Sequence, residues 1–391
     1  MSFPSRSFIA SPRGAVTMAF VAFGVLVGLW AGSIPAVMAR AGISSFSLGI
    51  GLTIYTVAYV ITMYSGGTLA RFASNRIILL AVSPIAAACS ALLLISATPA
   101  VFFVSLTLFG AVLGLLDLFM NAEASYVESD LKKPVFTAFH ASASLSTAIF
   151  AIFGSLVTVG LGTPVTALFA LILTGVAWIV LWRNLPARNI AFASSGGAPA
   201  PRWPLPLILL GLTAGFSMAG ETAALLWSAK LLDEIAPALA AIAGLGAGFF
   251  SLCNALVRFG GDRIRKRIGD MPLILLSLAI AAFGFILIGL SPFFMLSVAA
   301  FAVTGFGTAC VIPSIFAIAA LEIPERRAAA IGIVSLIAGL PRTLAPWIFG
   351  WVAGVQSTSF AFGLCAVAMM AAFAIVIVLN AKRKAAAAAP S

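Results

Sequence analysis

The sequence predicts an all-α polytopic membrane protein, with about twelve transmembrane helices arranged as six plus six. Three observations predict it. Of 391 residues, 62% are hydrophobic and only 8% are charged, where a soluble domain carries about 25% charged residues. So few charges cannot cover a water-facing surface. The apolar residues fall in long runs such as Gly14 to Met38, Ile77 to Ser96 and Phe360 to Leu379, and about 20 residues of helix cross a hydrocarbon core. The runs are apolar on consecutive residues, which excludes the alternation of an outer-membrane barrel. Finally, two similar glycine turns, Gly66-Gly67-Thr68-Leu69-Ala70-Arg71 and Gly260-Gly261-Asp262-Arg263, end the second helix of each set.

Taken in order, helices are expected near 14–39, 47–70, 77–96, 100–122, 135–160 and 164–184, then near 205–231, 237–261, 272–291, 292–321, 329–354 and 360–380. Met1 to Arg13 is polar and basic, and the run after it is longer than a signal-peptide core, so it is expected to stay as the first helix. Pro186 to Pro204 is rich in Ala, Ser, Gly and Pro, the composition of a flexible linker. The expected division is therefore a bundle over 1–185, a cytoplasmic linker over 186–204 and a second bundle with a short tail over 205–391.

Lys and Arg favour the cytoplasmic side of a membrane. With the N-terminus inside, the inner loops hold Arg71, Arg76, Lys132, Lys133, Arg183, Arg188, Arg263, Arg265, Arg326 and Arg327, and the tail holds Lys382 and Arg383. Arg40, Lys230, Arg342 and, at a helix end, Arg258 fall elsewhere. This asymmetry predicts a multi-pass protein of the bacterial inner membrane with both termini in the cytoplasm. It also accounts for the net charge of +11 without a nucleic-acid partner. Cys89, Cys253, Cys310 and Cys365 lie in separate apolar segments, so packed, reduced thiols are expected and no metal site.

Ionisable groups within apolar helices cost about 2.5–3.5 kcal/mol each at the membrane centre, and they usually face a cavity or a partner. Arg342 sits in Gly339-Leu340-Pro341-Arg342-Thr343, where a proline loosens the helix and the guanidinium stays charged. It is expected either to grip a hydroxyl-rich or anionic solute or to hold a structural pair. Glu221 is a candidate proton carrier, or the partner of Arg342 or Lys230 in a permanent ion pair. Asp117 and Asn121 share one face of a helix, and His140 begins the next helix. These polar groups suit a proton relay, while Asp117 or Glu123 paired with Arg71 would make a gate. Tyr55, Tyr59, Trp30, Trp227 and Asn254 are candidates for stacking and hydrogen bonding around a solute, against the plainer reading of packing. Asp262 and Arg263 are candidate clamps at the helix rim.

The paired glycine turns and six-plus-six layout resemble the major facilitator superfamily. Ala70 stands where that family's signature has Asp, which shifts the clamp toward Asp262 and Arg263. Further residues resemble a bacterial permease group near the fucose-permease and rhizopine-associated branch: Trp30-Ala31-Gly32-Ser33-Ile34-Pro35, Gly114 to Glu123, Phe139-His140-Ala141, Glu221 and Trp227-Ser228-Ala229. Ser33 stands where that pattern has a basic residue, and Leu226 where it has an acid. The resemblance implies a secondary transporter that works by alternating access, for a sugar, polyol or inositol-like solute in symport with protons. An exporter of amphipathic compounds is the alternative within the family, and a non-transporting receptor or accessory subunit the alternative outside it. No phosphate-binding loop, His-Glu-x-x-His or Gly-x-Ser-x-Gly is present in the sequence, so neither an enzyme nor an organic cofactor is expected. The expected partners are a small-molecule solute, protons and the lipid bilayer, with the chain acting as a monomer.

Overall fold

A computed structural model describes residues 8–133, 135–188 and 203–388. Among these, twelve helical segments are long and apolar enough to cross a membrane, and no strand occurs. The first six are α1 (Pro12–Ala41), α2 (Ser45–Ser65), α3 (Asn75–Leu94), α4 (Pro99–Leu131), α5 (Phe136–Leu161) and α6 (Thr163–Asn184). The others are α7 (Leu205–Ile235), α8 (Leu245–Ile268), α9 (Asp270–Leu290), the pair α10 (Phe294–Thr308) and α11 (Val311–Glu322), α12 (Arg327–Val355) and α13 (Thr358–Ala388). Most of the expected linker, residues 189–202, lies outside the described residues.

Local chemistry explains where the boundaries depart from expectation. The expected helix near 292–321 is broken, because Pro313 has no N–H to give the carbonyl of Ala309, and the chain turns at Ala309 and Cys310. The helix expected over 47–70 leaves α-geometry at Ser65 and closes as a 3-10 turn from Gly66 to Arg71. Paired glycines have little helix propensity. α4 runs on to Leu131 rather than stopping near 122. Its polar last turns project past the apolar run, and Glu128 there accepts hydrogen bonds from the backbone N–H groups of Val135 (2.8 Å) and Phe136 (2.6 Å), which caps the start of α5.

The first six helices pack chiefly as α1 on α5 and α6, α3 on α4 and α6, and α2 on α4. The later helices repeat the scheme, with α7 on α12 and α13, α9 on α10 and α13, and α8 on α10. Large apolar side chains such as Ile61, Ile149, Val176, Phe283 and Leu340 remain exposed on the outside. In a lipid solvent that is the favourable arrangement.

The two sets touch mainly through reciprocal pairs, α5 on α8 and α2 on α12. Both contacts lie toward the end opposite the basic loops. A Cβ on Gly49 of α2 would stand 2.6 Å from the carbonyl oxygen of Pro346 and 2.7 Å from Cα of Gly350 in α12. Gly244, at the start of α8, presses equally closely on the Ala151 carbonyl of α5, and its N–H donates to Ser155 Oγ at 3.1 Å. Backbones this close need glycine. Toward the basic loops, α4 makes no substantial contact with α10 or α11 among the described residues. Among the described residues the two sets are therefore closed on each other at one end and parted at the other.

At the basic end, the chain leaving α6 is tied back onto α3 and α4. The N–H of Asn75 donates to the carbonyl of Arg188 (2.9 Å), and its side-chain amide donates to Glu123 Oε2 (2.7 Å). Arg188 lies 3.6 Å from Glu123 Oε1, bonds Asp130 and covers the ring of Tyr126 at 5.9 Å. Glu123 is fully buried, so this set of partners is what makes its burial tolerable.

Candidate functional site

A cavity of about 330 Å³ lies between the two sets of helices, on the basic-loop side of the glycine contacts. Seven helices line it. Phe23 and Val27 come from α1, Tyr59 from α2, Asp117 from α4, and His140, Ala143, Ser144 and Thr147 from α5. α7 contributes Met218, Glu221, Thr222 and Leu225, α8 contributes Phe250, Ser251, Asn254 and Arg258, and α12 contributes Arg342. Away from the ends of these helices the neighbouring residues are mostly apolar, so Asp117, Glu221, Arg258 and Arg342 stand out as a cluster of charges in the bundle interior.

On the α2 and α4 side, Tyr59 donates its hydroxyl proton to Asp117 Oδ2 at 2.6 Å. The side-chain amide of Asn121 donates to Asp117 Oδ1 at 2.8 Å. Both carboxylate oxygens of Asp117 are thus engaged. Arg342 faces this group across the interface, its guanidinium carbon 5.3 Å from the centroid of the Tyr59 ring, within the range of a cation–π contact. It has no hydrogen bond or ion pair among the described residues.

On the other side, a guanidinium nitrogen of Arg258 lies 3.7 Å from Glu221 Oε2, and another donates to Ser144 Oγ at 3.4 Å. Arg258 therefore joins α7 and α8 to α5 of the opposite set. Glu221 Oε1 is buried and accepts no hydrogen bond. Asn254 donates to Thr308 Oγ1 at 3.3 Å, and His140 packs edge-on against Phe20, with ring centroids 5.1 Å apart.

Of the residues proposed from sequence, Tyr59, Asp117, His140, Glu221, Asn254 and Arg342 line this cavity. Trp30, Tyr55, Asn121 and Trp227 do not. Trp30 is buried against Phe102, and Tyr55 is partly buried and packs on Phe109, while Asn121 folds back onto Asp117. Ser33 turns away too, sharing a hydrogen bond with Thr158 at 2.8 Å. Glu221 has Arg258 as its cation, not Arg342 or Lys230, and Lys230 pairs with Glu234. Asp117 and Glu123 take the partners given above rather than Arg71, which is exposed at the end of the 3-10 turn. Arg263 is exposed at the basic end of α8, and the side chain of Asp262 lies outside the described residues.

Arg258 is the site residue that sequence reasoning missed. It sits one helical turn after Asn254 on the same face of α8, a signal that was present. The Gly260-Gly261 pair that follows was expected to end the helix, which made Arg258 look like a helix-end charge, but α8 runs on through both glycines to Ile268.

Trp227 lines a different space, an apolar pocket of about 330 Å³ among α7, α12 and α13, where it packs on Phe349 with centroids 4.6 Å apart. Leu340, Leu344 and Ile348 of that pocket are exposed on the outer face. Trp227→Ala is therefore expected to lower the melting temperature of the purified protein, since truncating a buried aromatic costs about 3–5 kcal/mol. Solute affinity of the folded fraction, read by equilibrium binding, should change less than twofold.

None of the four cysteines forms a disulfide, and Cys253 and Cys310 are buried. Among the described residues no cluster of His, Cys, Asp and Glu suits a metal ion. The cavity lining combines two carboxylates, two guanidinium groups, an imidazole, hydroxyls and an amide, held on helices from both sets.

A family model described as Major Facilitator Superfamily matches residues 207–391. The chain is 30% identical to the uncharacterized transporter y4wD of Sinorhizobium fredii, over 90% of this chain and 94% of that protein. It is 29% identical to an uncharacterized MFS-type transporter of Yersinia pestis, over 92% of this chain and 94% of the relative. Among solved structures, the nucleoside transporter NupG superposes with a TM-score of 0.74 at 14% identity, covering 94% of this chain and 98% of NupG. That likeness is one of fold.

Proposed function

This chain belongs to the Major Facilitator Superfamily, and from that premise we propose that it carries a small polar organic solute across the bacterial inner membrane by alternating access. It is a membrane transporter and not an enzyme. The reading places the solute in the cavity between the two sets of helices, with Glu221 as the proton-coupling carboxylate. Both termini and the basic loops face the cytoplasm in this account, as the Lys/Arg bias favours.

One observation carries the reading. A charged, hydrogen-bonding cavity sits on the interface between the two sets, closed off at one end by glycine contacts and parted at the other. Rocking one set on the other would open the glycine end and close the basic end around the same cavity. Arg342 and Asn254 on the lining support a polar solute over an amphipathic one. Glu221 supports coupling because its nearest cation, Arg258, is 3.7 Å away and neither of its oxygens accepts a hydrogen bond among the described residues, so protonation breaks no hydrogen bond.

Counterflow in proteoliposomes tests this reading. A panel of sugars, sugar acids, polyols and cyclitols preloaded at millimolar concentration should include at least one that drives transient uptake of its own radiolabelled form. Saturable binding without counterflow would instead support a receptor.

A further inference from the structure

We propose that the transported solute is a small organic monoanion, a hydroxylated monocarboxylate, whose carboxylate docks on Arg342 with Arg258 as the second donor. The proposal rests on the cavity being the solute site, and it narrows the solute from polar to anionic.

The donor and acceptor ledger of the cavity points this way. A guanidinium carries five N–H donors and no acceptor. Those of Arg342 meet only the face of Tyr59, and those of Arg258 are spent on long contacts of 3.7 Å to Glu221 and 3.4 Å to Ser144. On the acceptor side, both oxygens of Asp117 already accept, one from Tyr59 and the other from Asn121. Among the described residues neither oxygen of Glu221 accepts a hydrogen bond, and Oε1 is buried. The guanidinium N–H groups thus outnumber the open carboxylate oxygens, so the cavity suits a ligand rich in acceptors. A carboxylate matches the guanidinium fork with two parallel hydrogen bonds, which a neutral hydroxyl cannot do.

Charge balance selects a monoanion. With Asp117, Glu221, Arg258 and Arg342 ionised and His140 neutral, the lining has no net charge. Arrival of one carboxylate leaves one negative charge in a low-dielectric space, and one proton on Glu221 removes it. A dianion such as a phosphate ester would need a second proton. Hydroxyls on the rest of the solute have Ser144, Thr147 and Asn254 to meet, and Glu221 Oε2 can accept from one of them.

The test is a thermal-shift titration of the full-length protein in detergent, using matched pairs at constant ionic strength: gluconate against sorbitol, glucuronate against glucose, and lactate against propane-1,2-diol. At least one carboxylate should stabilise saturably, with its neutral partner at least tenfold weaker. Arg342→Gln should weaken that carboxylate roughly 10- to 100-fold, the loss expected for a charged hydrogen-bonded contact, and Arg342→Lys should restore part of it. The wild-type comparison within each pair stands even where the glutamine variant fails to fold. Neutral partners that bind as well as the acids, or carboxylates that never register, would overturn the proposal. Counterflow separates its failure from that of the transport reading. Carboxylate binding without counterflow defeats transport and leaves anion recognition, whereas counterflow of neutral solutes alone defeats anion recognition and leaves transport.

Discussion

Glu221→Gln is expected to abolish accumulation of solute against its gradient while sparing exchange. In liposomes with an imposed pH difference, the wild-type accumulation ratio should rise by up to about tenfold per pH unit for one coupled proton, since each unit is about 1.4 kcal/mol. The glutamine keeps the size and polarity of the side chain but holds no exchangeable charge. Its accumulation ratio should therefore stay near one at every pH difference, with counterflow retained. Glu221 lines the cavity next to Arg258, and its Oε1 has no competing hydrogen bond. An accumulation ratio in Glu221→Gln equal to that of the parent would move the coupling elsewhere, with Asp117 and His140 the remaining titratable groups on the lining.

The second large effect concerns the closed end. Gly49 and Gly350 place α2 and α12 in backbone contact, and any Cβ on Gly49 meets Pro346 and Gly350 at under ordinary contact distance. Gly49→Leu is expected to block this closure. Overpacking of this kind costs about 1–3 kcal/mol or more, enough to shift a two-state equilibrium roughly 5- to 150-fold toward the form open at that end. Net transport should fall by a similar factor. Expression and solute binding should persist, because Gly49 lies outside the cavity lining. Measured uptake unchanged by the leucine would show that this glycine contact is not part of the working cycle.

How much of this was legible in the sequence follows from what a long apolar run can encode. Its length marks a crossing, so each of the twelve segments was visible. An interior break costs no hydrophobicity, so the turn at Ala309 and Cys310 was hidden, and only Pro313 hinted at it. Polar ends blur similarly: the last turns of α4 read as loop because Glu123, Glu128 and Asp130 interrupt the apolar run.

The site was legible where burial makes a residue expensive. Asp117, Glu221 and Arg342 stand out from their helices because a charge there demands a partner or water. Which face a residue occupies was not legible, since a helix apolar all round has no amphipathic phase to read. Trp227 illustrates this. It follows Glu221 by roughly one and two-thirds turns, which rotates it out of the cavity and into the apolar pocket with Phe349. Trp30 and Tyr55 likewise read as solute contacts by type and depth alone, and they pack against Phe102 and Phe109. Arg188 could not be found as the partner of Glu123, because the two are brought together only by the return of the chain from α6.

The central claim is that one cavity is reached in turn from both sides of the membrane, and Ala143→Cys in a background without the four native cysteines tests it most directly. Ala143 lines the cavity and is partly exposed to it. A membrane-impermeant thiol reagent applied separately to right-side-out and inside-out vesicles should label it from both sides. Labelling should be faster from the cytoplasmic side, and Gly49→Leu should reverse that order. Labelling confined to one side in both backgrounds would contradict the account.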